Sequence, residues 1–223
     1  CCGIVGAINL AKLAPSMGSL IDHFNISLSI SGLIGGIFSI LMVFTGLISG
    51  VVISKYRPRL AMLLGLIISF LGSILPILNP TLPSIMLGRI FEGYGFLLIN
   101  LSAPVLLTLH TKNQNRGKVM GIWGSFMPAG NALIILIAPF VYIVSDWWLF
   151  WQISTVFTIS FFFLAYFLIP SDPQHFKESL SEKLTFILFK IIRKKSIIII
   201  GLTFACHSLI FLGNMQFLPY YFE

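Results

Sequence analysis

Apolar residues run along this 223-residue chain in long stretches, near positions 1–20, 29–54, 60–78, 84–110, 118–144, 149–169 and 197–220. Each is closed off by charged residues or by clusters of Pro, Asn, Asp and Ser. A helix needs about 20 residues to cross a bilayer, so the pattern predicts seven membrane spans. The stretches are apolar all round, and several exceed the minimum crossing length, which implies tilt or protrusion from the hydrocarbon. Positions 170–196 break the pattern as the longest polar segment, and over 180–192 Leu, Phe and Ile mix with Lys and Glu at helical spacing. That mixture predicts a linker ending in an interfacial amphipathic helix. The expected organisation is an all-α polytopic membrane protein in three parts. Residues 1–169 form an N-terminal bundle of six transmembrane helices with a truncated first helix. A basic linker follows at 170–196, and 197–223 are the first helix of a second bundle, the rest of which is missing.

Composition agrees with a lipid setting. Hydrophobic residues make up 57% of the chain and charged residues 9%, too apolar for one soluble core of this length. The net charge of +7 does not read as a nucleic-acid footprint, because the cations sit in short runs between apolar stretches instead of on one folded face. Of the 14 Lys and Arg, all but Lys12 and Arg89 lie in alternate loops: Lys55, Arg57 and Arg59; Lys112, Arg116 and Lys118; Lys177, Lys183, Lys190, Arg193, Lys194 and Lys195. The intervening loops around 22–25, 79–83 and 145–148 carry none. By the positive-inside rule the basic loops and the N-terminus are cytoplasmic, as in a multi-pass protein of the plasma or inner membrane. Cys1, Cys2 and Cys206 form neither a disulfide framework nor a metal-ligand spacing, and no phosphate loop or nucleophile–base pair is visible. The expectation is a protein that is not an enzyme, has no cofactor and is monomeric, with a small-molecule substrate, a coupling ion and membrane lipid as its partners.

Four segments carry the functional signal. The run Gly46-Leu-Ile-Ser-Gly50-Val-Val-Ile-Ser54-Lys55-Tyr56-Arg57-Pro58-Arg59 joins the second and third spans, and its glycines, four apart, permit close helix approach. In the fourth span, Arg89 is costly in lipid and should face a wet cavity or a partner; Glu92, three residues on, shares its face. Asn100 extends that stripe through Gly93 and Phe96. In the fifth, Arg116-Gly117-Lys118 opens a glycine-rich helix containing Trp123, Gly124, Met127, Pro128, Gly130 and Asn131, where a proline flanked by glycines lets the helix bend. In the first, Asn9 and Lys12 share a face. Lys12 either snorkels to the outer interface or acts as a cation within a cavity.

These segments resemble the major facilitator superfamily. Gly50, Lys55, Tyr56 and Arg59 match the family's gating motif between helices two and three, while Ser54 stands in place of its acid, Arg57 in place of its second glycine and Pro58 in place of a basic residue. Leu87-Gly88-Arg89-Ile90-Phe91-Glu92-Gly93-Tyr94-Gly95 is similar to the fourth-helix motif, and the 116–130 segment to the fifth helix, with Met127 where the antiporter signature has glycine. The run Gly213-Asn214-Met215-Gln216-Phe217-Leu218-Pro219 resembles the seventh helix. The resemblance implies helices one to seven of a twelve-helix fold and a secondary transporter working by alternating access, with a loose similarity to the cyanate and nitrate-type branches. It implies substrate-cavity roles for Asn9, Lys12, Arg89, Asn100, Trp123, Asn131, His207 and Asn214, proton coupling at Glu92, gating through Gly50, Ser54, Lys55 and Arg59, and a hinge at Gly124, Pro128 and Gly130. The two buried cations suit an anionic solute. The rival reading is a seven-helix receptor, which would place its basic loops after the first, third and fifth spans.

Overall fold

The computed structural model describes residues 2–55, 57–171 and 193–221, and among these every regular element is helical. In chain order they are α1 (Cys2–Ala11), α2 (Leu13–Phe24), α3 (Leu28–Ile37), α4 (Ile40–Lys55), α5 (Pro58–Leu78), α6 (Leu82–His110), a single 3-10 turn at Asn113–Asn115, α7 (Arg116–Gly124), α8 (Phe126–Val144), α9 (Trp147–Leu168) and α10 (Lys195–Tyr221). Six stretches are long and apolar enough to cross a membrane by length and composition: Cys2–Phe24, Leu28–Ile53, Pro58–Leu78, Leu82–His110, Asn113–Val144 and Trp147–Leu168. The seventh expected stretch coincides with α10, which runs beside α2. The amphipathic helix expected over 180–192 lies outside the described residues.

Three of the expected continuous spans are interrupted. Pro15 has no N–H for the Ala11 carbonyl, so the first span parts into α1 and α2 at Lys12. Pro128 likewise leaves the Gly124 carbonyl without its helical donor, and α7 gives way to α8 at Ser125. The second span parts at Phe38–Ser39, where no proline is present.

The most extensive helix pairing is α5 with α6. Gly65 and Gly72 on α5 face Gly95 and Gly88 on α6, both pairs seven residues apart. A Cβ added at Gly72 would meet the Gly88 carbonyl oxygen at 2.6 Å, and one at Gly65 would meet the Gly95 oxygen at 2.9 Å. Backbone thus packs on backbone, the small-residue solution to helix association in lipid. Two apolar cores flank this seam, one around Leu20, Ile34, Ile85, Phe150 and Trp151, the other around Val5, Leu66, Ile99 and Ala165. Exposed apolar side chains such as Val43 and Phe44 on α4, Ile143 and Val144 on α8 and Phe167 on α9 cover the outside, the inverse of a soluble surface.

Candidate functional site

The break at Lys12 determines what that residue can reach. Its backbone N–H still bonds the Ile8 carbonyl at 3.0 Å, and its own carbonyl accepts from Ser16 Oγ at 2.8 Å. The side chain therefore leaves the single turn residue between α1 and α2, whose backbone is bonded on both sides. It points inward and is fully enclosed. Lys12 is thus enclosed by protein and does not extend to a surface of the bundle, as a snorkelling side chain would.

On α6, Arg89 and Glu92 stand one turn apart, as their spacing predicts, and the glycine seam brings α5 near enough for Ser73 to join them. Lys12 Nζ donates to Glu92 Oε1 at 2.5 Å, to Ser154 Oγ at 2.8 Å and to Ser73 Oγ at 3.1 Å, with Asn9 Oδ1 at 3.3 Å. Arg89 donates from one terminal nitrogen to Glu92 Oε2 at 2.8 Å and to the Asn9 carbonyl at 2.6 Å. Ser73 Oγ donates to Glu92 Oε1 at 2.6 Å. Asn9 Nδ2 reaches Thr158 Oγ1 on α9 at 3.3 Å. One carboxylate therefore spans two cations, a separate oxygen for each.

The aromatic rings around the cluster complete it. Lys12 Nζ sits 4.7 Å from the Trp151 ring centre and the Arg89 guanidinium 4.4 Å from that of Phe38, distances at which a cation is attracted to a ring face. Phe38 can reach this place because its helix is interrupted there and its backbone lies directly against Gly93. Lys12, Arg89 and Glu92 expose at most 1% of their surface. Burying an ion unpaired costs several kcal/mol, and pairing here leaves one positive charge uncompensated within the cluster. Arg89 Nε and Trp151 Nε1 are also buried without a hydrogen-bond partner among the described residues.

The remaining expected residues fall elsewhere. Asn100 Nδ2 donates to its own helix at the Phe96 carbonyl, 3.0 Å away. Trp123 stacks on Phe126 with ring centres 4.4 Å apart and fills the space left by Gly3. It lines an apolar cavity of about 470 Å³ at the end of the bundle where α1 begins and α6 ends. Asn131 is buried on the face of α8 that carries Gly130 and Ile134; Gly130 abuts Ala7 of α1, so only Gly124 and Pro128 of the expected hinge border the actual break. Asn214 is exposed on α10, and the side chain of His207 lies outside the described residues. In the gating segment, Gly50 faces Leu101 and the side chains of Ser54 and Lys55 are likewise outside them. Arg59 caps the end of α9, donating to the Tyr166 carbonyl at 2.7 Å and to Ser171 Oγ at 3.3 Å.

Sequence reasoning missed Ser73, Ser154, Thr158, Trp151 and Phe38. A signal existed for two of them: Ser154 and Thr158 stand four apart on α9, which also carries Gln152, Thr155 and Ser160, and so share a face.

A six-span helical unit with a charged centre and broken helices is the kind of architecture that membrane transport folds are built from. The whole chain, residues 1–223, matches the Major Facilitator Superfamily, and it belongs to that family. It is 25% identical over 197 residues to an uncharacterised transporter of Buchnera aphidicola subsp. Schizaphis graminum, covering 86% of this chain and 49% of the relative. A second transporter, from Buchnera aphidicola subsp. Baizongia pistaciae, is 24% identical over 169 residues, covering 76% and 42%. The chain thus spans about half the length of the curated relatives it matches. Among solved structures it superposes on the inward-open xylose transporter XylE of E. coli with a TM-score of 0.68 at 18% identity, over 93% of this chain and 54% of that one. A D-xylose–proton symporter gives 0.63 at 18% identity, over 86% and 50%. At such identity the likeness is one of fold.

Proposed function

We propose that the chain is part of a secondary active transporter that carries a small anionic solute, coupled to protons, by alternating access. Residues 1–169 form one of the two rocking bundles, and 197–223 begin the other, with the N-terminus and the 170–196 linker on the cytoplasmic side and a monomer as the working unit. The observation that carries the reading is the enclosed Lys12–Glu92–Arg89 cluster with its excess positive charge, because intramembrane ions persist where function needs them. Lys12 and Arg89 orient the solute and Glu92 carries the coupling proton. Asn9 contributes directly to this centre. Asn100, Trp123, Asn131, His207 and Asn214 shape the wider cavity, Gly50, Ser54, Lys55 and Arg59 form the gate, and Gly124 and Pro128 supply the bend.

The test is Arg89→Ala in the full-length protein, reconstituted into proteoliposomes under an inward proton gradient and offered a panel of labelled small anions. Uptake should fall to background while the protein still inserts and purifies. Uptake at the parental rate would overturn the assignment.

A further inference from the structure

The apolar cavity of about 470 Å³ at the end of the bundle where α1 begins and α6 ends shares no residue with the ion cluster. Its walls bring together Met62 on α5, Leu106 on α6, Trp123 on α7, Phe126 on α8 and Ile169 just past α9. Two further wall residues, Ile122 and Leu168, are 74% and 68% exposed, so the cavity opens at the surface beside α7 and the end of α9. Its volume equals that of roughly fifteen waters, but a lining this apolar does not hold water.

The rim carries the opposite chemistry. On the wall, Thr111 is followed at once by Lys112, while Val119 is preceded by Lys118 and stands one turn after Arg116. All three cations are exposed. Arg116 gives one N–H to the Thr108 carbonyl at 3.2 Å, which holds it beside the end of α6. The start of α7 has no side-chain cap from Asn115, and Gly117, between the two cations, has nothing within 4 Å of where a Cβ would stand. An open, uncapped helix start flanked by an arginine and a lysine favours a phosphate.

We infer that this end of the bundle binds one anionic phospholipid of the cytoplasmic leaflet. One acyl chain enters the cavity, and the phosphate lies at the start of α7 between Arg116 and Lys118, with Lys112 adding to the field. Charge complementarity selects this occupant. A wholly apolar guest leaves the cations unmatched, a soluble anion leaves the cavity unfilled, and a zwitterionic lipid gains less from a basic rim. Anionic lipids concentrate in the cytoplasmic leaflet, the side on which the basic loops are placed above. The seated chain lies against Trp123 and Phe126, one on each side of the Ser125 break, so the lipid reaches that break from within the membrane. The inference rests on the cytoplasmic placement of this end and is independent of the solute carried. Nanodiscs present both leaflets, so binding there tests the site whichever way the protein faces.

The experiment counts lipids retained by the full-length protein in native mass spectrometry, after equilibration in nanodiscs of phosphatidylglycerol or of phosphatidylcholine with identical chains. The parent should retain one phosphatidylglycerol, held at least about tenfold more tightly than phosphatidylcholine. Removing two cations in Arg116→Gln/Lys118→Gln should weaken phosphatidylglycerol by roughly thirtyfold and bring the two lipids level. Lys194→Gln/Lys195→Gln, which removes two exposed cations at the start of α10, should change neither. Ala129→Phe, which sets a ring into the cavity, should weaken both lipids. If that variant does not fold, phosphatidylglycerol brominated on its chains should quench the emission that the parent loses on Trp123→Phe. Equal retention of the two lipids by the parent overturns the proposal, as does an equal loss in the Lys194/Lys195 control. Glycerol phosphate bound as tightly as phosphatidylglycerol would make the ligand a free phosphate and overturn it too. An acyl chain that ignores Ala129→Phe and spares Trp123 does not occupy the cavity, which sinks the idea. Tight retention that appears only after residues 180–192 are replaced by a Gly-Ser tract would make the linker the occupant instead.

Discussion

Two of the membrane spans break three residues ahead of a proline, at Lys12 before Pro15 and at Ser125 before Pro128, yet the two breaks have different surroundings. The first lies inside the bundle. Its one side chain holds Glu92, Ser154 and Ser73 from three other helices. The second closes on itself, with Ser125 Oγ donating to the Ile122 carbonyl one turn back at 2.8 Å. It also follows Gly117, Gly121 and Gly124, none of which has a neighbour within 4 Å of where a Cβ would stand. At these two places a proline marks where the helix parts. The packing around the gap decides whether the parted ends are pinned or free to bend.

The largest expected effect breaks the pinned site. Glu92→Leu leaves two buried cations without an anion, which should cost about 3–5 kcal/mol, measured as a lowered unfolding midpoint for the full-length protein in nanodiscs. An unchanged midpoint would show that the cluster does not hold the first break. A smaller effect sharpens the contrast. Pro128→Ala returns a donor to the Gly124 carbonyl and should slow uptake by roughly tenfold if bending at the second break sets the rate. Pro15→Ala should change uptake by less than about twofold, because Lys12 remains tied by its side chain. Equal losses in both variants would mean that the surroundings make no difference. The smallest effect on stability lies outside both breaks: Arg59→Gln, beside the end of α9, should cost about 1 kcal/mol or less, read as an unfolding midpoint close to the parent's.

The fold was largely readable because lipid allows few alternatives. Stretches apolar on every side must be helices whose backbone bonds are satisfied internally, and six helical spans stand close to where the hydrophobic runs place them. The interruptions were partly readable. Pro128 between glycines signals a bend, whereas Pro15 lies so near the chain start that the first run reads as one helix, and the break at Phe38 has no proline to announce it. The charged members of the site were readable for a similar reason: an ion within a span must find a counter-ion, so Arg89, Glu92 and Lys12 draw attention singly. The hydroxyls did not. Serine and threonine within a helix can bond the carbonyl one turn back, as Ser154 and Thr158 do at 3.0 and 2.7 Å, so even the shared face of these two does not show that they serve a second partner. Asn100 failed in the opposite direction, since its amide is satisfied by its own helix.

The glycine seam between α5 and α6 limits what substitution can do to this chain. At Gly65, Gly72, Gly88 and Gly95 the nearest obstacle to a side chain is the carbonyl oxygen or a residue of the facing helix, and a backbone cannot rotate aside as a side chain can. Replacing one glycine therefore cannot be relieved by shrinking its opposite number, because that residue has no side chain to lose. Such a seam admits no compensating second mutation, so these four positions should tolerate less variation in a saturation library than the charged residues whose meeting they make possible.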